Sequence, residues 1–235
     1  MDFKNIIKDQ IVLKATDIAY LIKEFIYASG FEEFYIAGGC FKKKINDFDL
    51  YPSKPIDYYE ELIKSRLSNY IVFESPNAYT FNFNNKIIQF CKYAKTDLES
   101  LINSFDFSHT QIGAYIQVDN LDREINSFHV EIKDVYCTEE YIKTLMNGKG
   151  EYTGSDYPLS SLFRVFKYKD EFFEKNYKKT VIKILCDIVG RGFESYDDFK
   201  DQLDAIDLAY FEESTEMLKL YNLLYKGKRV ENNEF

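Results

Sequence analysis

Two aspartates, Asp47 and Asp49, flank a single apolar residue in the stretch FYIAGGCFKKKINDFDLYP, which runs from Phe34 to Pro52. Aspartate is a poor strand former and gains nothing from packing there. On a strand, side chains two apart share a face. The two carboxylates then stand side by side while Phe48 and Leu50 turn to the core. Like charges that close repel, and a hard divalent cation with oxygen ligands, Mg2+ or Mn2+, offsets the repulsion. Just upstream, Gly38 and Gly39 end another apolar run. Without a Cβ they let a phosphate approach the backbone closely, and a following turn can aim amides at an anion. Lys42, Lys43 and Lys44 add positive charge beside it. A phosphate cradle followed by a metal-binding acid pair points to phosphoryl or nucleotidyl transfer by in-line displacement. Taken singly, a glycine pair reads as a turn and a D-x-D as a solvated strand edge. The order strand, GG, loop, strand, DxD carries the argument.

The elements that must position these groups follow from periodicity. Ile7, Ile11, Ala15, Ile18, Ile22, Phe25 and Ile26 form one helical stripe over residues 3–29, with Gly30 as its stop. EFYIAGG reads as a buried strand, DFDLY as a second, and PIDYYEELIKSRLSN as a helix opened by proline. YIVFES, AYTFNFN and KIIQFCKY read as three strands, with Asn84-Asn85 as the hairpin turn between the last two. TDLESLINSF is a helix whose Thr96 and Glu99 make a capping box. SHTQIGAYIQVD and SFHVEIKDV are two further strands, which puts His109 and His129 on strands as ordinary packed residues. Beyond residue 138 only helices are expected. The glycine-rich NGKGEYTGSDYP marks a boundary between a domain at 1–147 and a small all-helical domain at 148–235. The fold class is α+β, with a mixed or antiparallel sheet and flanking helices.

Composition narrows the partners. The net charge of −9 over 235 residues argues against coating nucleic acid by bulk charge. Four scattered cysteines and two histidines make neither a zinc ribbon nor a disulfide frame. The amphipathic N-terminus is no signal peptide and no apolar run spans a bilayer, so a soluble cytoplasmic protein is expected, with no membrane partner.

The central stretch resembles the signature of the DNA polymerase β-like nucleotidyltransferase superfamily, apolar-G-G/S followed by D-x-D/E. It is most similar to the catalytic head of the CCA-adding enzyme and bacterial poly(A) polymerase family. GGCFKK is similar to that family's G-G-x-x-R-D, with Lys42 at the arginine and Lys43 at the aspartate. FDFSHTQIGAY resembles R-R-D-F-T-x-N-A-x-A-Y, with Asp106 at the aspartate and Phe105 at an arginine. YPLSSLFRVFKY loosely resembles D-P-x-R-x-L-R-x-x-R-F, with Arg164 and Lys167 each one residue past a basic position. The likeness is co-linear over residues 34–168. It implies a nucleotidyltransferase-type sheet, Asp47 and Asp49 as ligands of the catalytic metals, Asp106 in contact with the nucleotide, and an NTP substrate with a possible tRNA-like RNA acceptor. The sequence departs from that pattern in a shorter loop between GG and DxD, in Phe105 and Ser160 at arginine positions, and in lacking the E-D-x-x-R templating motif. CCA addition itself is therefore not expected.

Gln89 stands where many superfamily members carry a third carboxylate, and Glu131 is a possible substitute. Asp106 reads equally as a turn residue, and Arg164, Lys167 and Lys169 as either a triphosphate-binding cluster or a solvated helix face. Two functions remain: transfer of an NMP from an NTP to an acceptor hydroxyl with release of pyrophosphate, or a catalytically degenerate module that binds a nucleotide or a protein.

Overall fold

A computed structural model of the chain describes residues 3–42, 45, 47–93, 95, 97–122, 127–172, 176–204 and 215–225. The chain divides into two compact units, Met1–Asn147 and Gly148–Phe235.

In the first unit the long apolar stripe folds as two helices, α1 (Phe3–Leu21) and α2 (Lys23–Ser29), not one. The break falls at Ile22, whose φ and ψ of −107° and 14° leave the helical range. The stripe runs through the break: Ile18 and Ile22 on one side and Phe25 and Ile26 on the other are all buried. Gly30 ends α2 in the left-handed conformation, its N–H donating to the Ile26 carbonyl.

Next come β1 (Glu33–Ala37), a 3-10 turn at Gly38–Phe41, β2 (Asp47–Tyr51) and α3 (Ile56–Leu62). The helix continues as a π turn and a 3-10 turn as far as Tyr70. Three short strands follow: β3 (Ile71–Glu74), β4 (Ala78–Phe83) and β5 (Lys86–Cys91). Asn84 and Asn85 both take positive φ, 51° and 61°, the twist that a two-residue hairpin turn needs. Then come α4 (Leu98–Asn103), the long hairpin β6 (Ile112–Asp122) and β7 (Ser127–Cys137), and α5 (Glu139–Asn147).

The N-cap of α4 is Asp97, whose carboxylate accepts the Ser100 N–H at 2.7 Å, rather than Thr96, which lies outside the described residues. Asp and Thr both cap well, so residue type alone did not choose between neighbours.

The seven strands form one sheet in the order β3-β4-β5-β2-β1-β6-β7. Every pairing is antiparallel except β2 with β5. One face packs on α1, α2 and α3 through a core rich in Phe and Tyr. Phe25, Phe31, Phe34, Tyr59, Phe81 and Phe90 are wholly enclosed there, each contributing about 1.5–3 kcal/mol of burial. Tyr59 ties the end of β2 to the sheet: its hydroxyl donates to the Glu33 carbonyl at 2.6 Å and accepts the Ser53 N–H at 3.2 Å. The other face carries a smaller cluster of Tyr35, Ala37, Leu98, Leu101 and Ile102, roofed by α4.

The second unit contains α6 (Pro158–Phe172), α7 (Tyr177–Arg191), α8 (Tyr196–Asp204) and α9 (Thr215–Leu224), with no strand among its described residues. Together the units make an α+β protein. No described helix is long and apolar enough to cross a membrane.

Candidate functional site

The sheet places β2 between β1 and β5, so Asp49 is flanked by Ala37 on one side and Gln89 on the other. Burial alternates along β2: Phe48 and Leu50 are buried, while Asp47, Asp49 and Tyr51 are partly exposed. Both carboxylates thus lie on the α4 face of the sheet. The chain leaves β1 at Ala37 and turns at once. Gly38 has φ of +79°, which its lack of a Cβ permits, and the Lys42 N–H closes the turn on the Gly39 carbonyl at 3.1 Å.

That turn lies directly against the acid pair. A Cβ on Gly38 would stand 3.7 Å from Asp49 Oδ2, and one on Gly39 would stand 3.9 Å from Asp47 Oδ1. Consecutive bare glycines and alternate aspartates therefore meet at one point. The glycines leave open the space beside each carboxylate that a side chain would fill. Cys40, within the turn, is fully buried, and its thiol donates to the Ala37 carbonyl at 3.4 Å. Burial first, and then the charges of Asp49 and Asp47, push this thiol well above its ordinary value. The aspartates impose a negative field there.

Behind the turn lies Phe105–Thr110. Asp106 is almost wholly buried, and Ser108–Thr110 forms a 3-10 turn against Gly38–Phe41. His109 sits in that turn and not on a strand, buried and stacked on Phe107 with ring centroids 5.6 Å apart. Burial first, and then the charge of Lys42, depress its pKa well below 6.5, which keeps the imidazole neutral at pH 7. Lys42 itself is half-buried. The segment is held by Gln111, whose Nε2 donates to the Phe105 carbonyl at 2.8 Å while its Oε1 accepts from Thr138 Oγ1 at 2.8 Å.

The structure therefore brings Gly38, Gly39, Lys42, Asp47, Asp49 and Asp106 into one region of the first unit. Lys43 lies outside the described residues. Arg164 and Lys167 stand on α6 of the second unit, Arg164 half-buried. Gln89 pairs with Asp49, so the neighbouring strand presents an amide where a third carboxylate would be useful. Glu131 does not replace it. It lies on β7, three strand positions from β2, opposite Gln117 and ion-paired with Lys133. Strand spacing and rise put it roughly 20 Å from Asp49. Among the described residues no group of three or more His, Cys, Asp or Glu side chains gathers. Two carboxylates beside an open glycine turn fit Mg2+ or Mn2+ of the kind that takes its remaining ligands from substrate phosphates and water.

Two further residues border the region: Phe105, which stands out in the sequence only as a departure from the family pattern, and Tyr51, which does not stand out. Phe105 Cε2 would lie 3.5 Å from a Gly38 Cβ, and the Tyr51 ring centroid is 5.8 Å from that of Phe105. Strand parity with Asp49 gives the face of Tyr51. Nothing local gives its meeting with Phe105.

Fold and site together define an α+β protein whose mixed sheet sets a double-glycine turn against a D-x-D strand. The chain belongs to the Gabija anti-defense 2 (Gad2) family, whose model matches residues 13–148. No curated protein matches the sequence significantly. Among solved structures it is similar to a Thermotoga maritima CCA-adding enzyme complexed with tRNA, at 10 % identity and a TM-score of 0.44, covering 94 % of this chain and 70 % of that one. A tRNA-processing enzyme in an apo form matches at 14 % identity and a TM-score of 0.42, covering 86 % of this chain and 56 % of that one. A tRNA nucleotidyltransferase complexed with a primer tRNA and an incoming ATP analogue matches at 13 % identity and 0.41, covering 88 % and 60 %. The chain thus spans 56–70 % of the length of these proteins.

Proposed function

We infer that this Gad2-family chain is a nucleotidyltransferase, and that it serves the anti-defence role its family's name records by attaching a nucleotide to an acceptor hydroxyl. The observation that carries the reading is the meeting of both aspartates with the double-glycine turn, Oδ2 of Asp49 and Oδ1 of Asp47 each within 4 Å of where a glycine Cβ would be.

Asp47 and Asp49 would hold Mg2+ or Mn2+. When bound, such a cation neutralises phosphate charge and lowers the pKa of a coordinated hydroxyl. Gly38 and Gly39 let the triphosphate lie against bare backbone, and Lys42 adds a positive charge at the end of the turn. Asp106 supports the nucleotide side of the site from behind. The acceptor oxygen bonds to the α-phosphorus, the α–β phosphoanhydride bond breaks, and pyrophosphate leaves while the hydroxyl proton passes to solvent. The chain's own contribution is position and charge. RNA 3′ ends, smaller hydroxylated acceptors and protein side chains all satisfy this chemistry, and the acidic chain favours the latter two over long nucleic acids.

Gln89 beside Asp49 supports a second reading, a descendant that binds a nucleotide or a partner protein without transferring anything. Incubation with each labelled NTP, Mg2+ or Mn2+, and RNA, protein and metabolite fractions separates the two. Label on an acceptor with matching pyrophosphate, lost in Asp47→Asn and Asp49→Asn, is expected. NTP binding without pyrophosphate from any acceptor pool would establish the binding module instead.

A further inference from the structure

We propose that Phe105 and Tyr51 form an aromatic corner that receives the base of the incoming nucleotide, and that it accepts any base. The proposal rests on the site reading above and adds to it the part of the substrate that the acid pair and the glycine turn do not address.

A Gly38 Cβ would stand 3.7 Å from Asp49 Oδ2 and 3.5 Å from Phe105 Cε2. A carboxylate, bare backbone and an aromatic edge therefore border one small volume. Tyr51 follows Asp49 by two residues on the same face of β2, and its ring is inclined 42° to that of Phe105. These two rings are among the four partly exposed aromatics, with Tyr115 and Tyr136, that pack against the cluster under α4. Tyr35, Leu98, Leu101 and Ile102 are buried in it, whereas Tyr51 and Phe105 are partly exposed on the side of the acid pair.

Phe105 is also fixed in place. Its N–H donates to the Ile102 carbonyl at 3.2 Å, and its own carbonyl accepts from Gln111, which Thr138 holds in turn. A buried glutamine and a buried threonine thus pin the backbone of a half-exposed phenylalanine. Such pinning lowers the entropy cost of presenting a ring to a ligand. The corner carries no charge of its own and a single hydroxyl, on Tyr51. A triphosphate has no use for such a surface, whereas a flat base stacks on it. Every base has a π face, so stacking of this kind is tolerant of base identity.

The test measures binding of tripolyphosphate and of α,β-methylene analogues of ATP, GTP, CTP and UTP, each with Mg2+, to the full chain and its variants. Phe105→Leu keeps apolar bulk and removes the π face, and Tyr51→Ala removes the second wall. Thermal melts of the unliganded variants check that each is folded. The expected result is a loss on the order of tenfold for every nucleotide analogue in either variant, the size of one lost base stack, with tripolyphosphate affinity unchanged. An equal loss for tripolyphosphate would overturn the proposal by showing damage to the cradle itself, as would full nucleotide affinity in both variants. Binding of neither tripolyphosphate nor nucleotide to the unmodified chain would overturn the site reading beneath it. Intact binding of both by the variants would leave that reading standing and remove only the aromatic corner.

Discussion

A methyl group added at Gly38 and the same group added at Gly39 should have opposite consequences, although the residues are adjacent. At Gly38 the added carbon meets Phe105 and Asp49 at 3.5 and 3.7 Å, ordinary contact distances, so sterics add little. The backbone is the cost: φ is +79°, a region where an L-side chain is strained by about 1–2 kcal/mol. For a chain of this size that lowers Tm by about 3–6 °C. Gly39 has no positive φ, and its added carbon meets only Asp47 Oδ1, at 3.9 Å. Gly39→Ala should therefore change stability by less than about 0.5 kcal/mol, yet its methyl occupies the space where a phosphate would approach. Thermal melts followed by far-ultraviolet circular dichroism, with and without Mg2+ and an NTP, read both effects. A ligand at about a hundred times its Kd stabilises the unmodified chain by about 2.7 kcal/mol. That increment should persist in part in Gly38→Ala and vanish in Gly39→Ala. If Gly39→Ala melts as low as Gly38→Ala, the backbone argument is wrong. If Gly39→Ala keeps the full ligand increment, the glycine turn is not a phosphate cradle.

Asp47→Asn and Asp49→Asn should each abolish the Mg2+-dependent part of nucleotide binding while leaving the melting temperature unchanged or higher, since each relieves repulsion within a like-charged pair; isothermal titration with and without Mg2+ checks this. Burial of Glu33 alone would raise its pKa, but hydrogen bonds from Lys54 and Tyr115 outweigh it and hold the group below 4.5. Its stabilisation is therefore complete above about pH 4.5 and is lost as pH falls through the folded value. Tyr115→Phe should cost about 1–2 kcal/mol at neutral pH and shift the acid-unfolding midpoint upward. His109 stays neutral in the folded chain below 6.5, where the unfolded chain takes up a proton, so stability should fall as pH drops from about 6.5. His109→Phe should flatten that slope in urea titrations at pH 7 and pH 5, and an unchanged slope would show that the folded imidazole titrates normally.

The acid pair was legible because its logic is local. Strand parity and two aspartates suffice to put Asp47 and Asp49 on one face, and Phe48 and Leu50 are buried as parity requires. The Asn84-Asn85 turn was legible for the same reason. What escaped the sequence depends on residues far apart in the chain. The parallel pairing of β2 with β5 and the insertion of β1 between β2 and β6 leave no short-range trace. Ile22 breaks the first helix without glycine or proline. His109 looks like part of a strand because apolar residues follow it, yet the close approach of its turn to Gly38–Phe41 bends the chain there. Asp106 was visible by family likeness. The meeting of Phe105 with Tyr51 was not, since it requires α4 to lie where it does.

The parallel pairing of β2 with β5 also sets when the site comes into being. As the chain leaves the ribosome, β1 and β2 emerge together, but the second flank of β2 begins only at Lys86 and the second flank of β1 only at Ile112. Pairings that wait on distant segments are slow, because the chain closes a long loop before any contact repays it. The strand bearing the aspartates is thus the central strand of the sheet, and its second flank closes across a gap in sequence rather than through a hairpin. A fragment ending before β5 holds the whole glycine and aspartate motif but leaves β2 without its second flank. The placement of Asp49 between Ala37 and Gln89 therefore waits for β5.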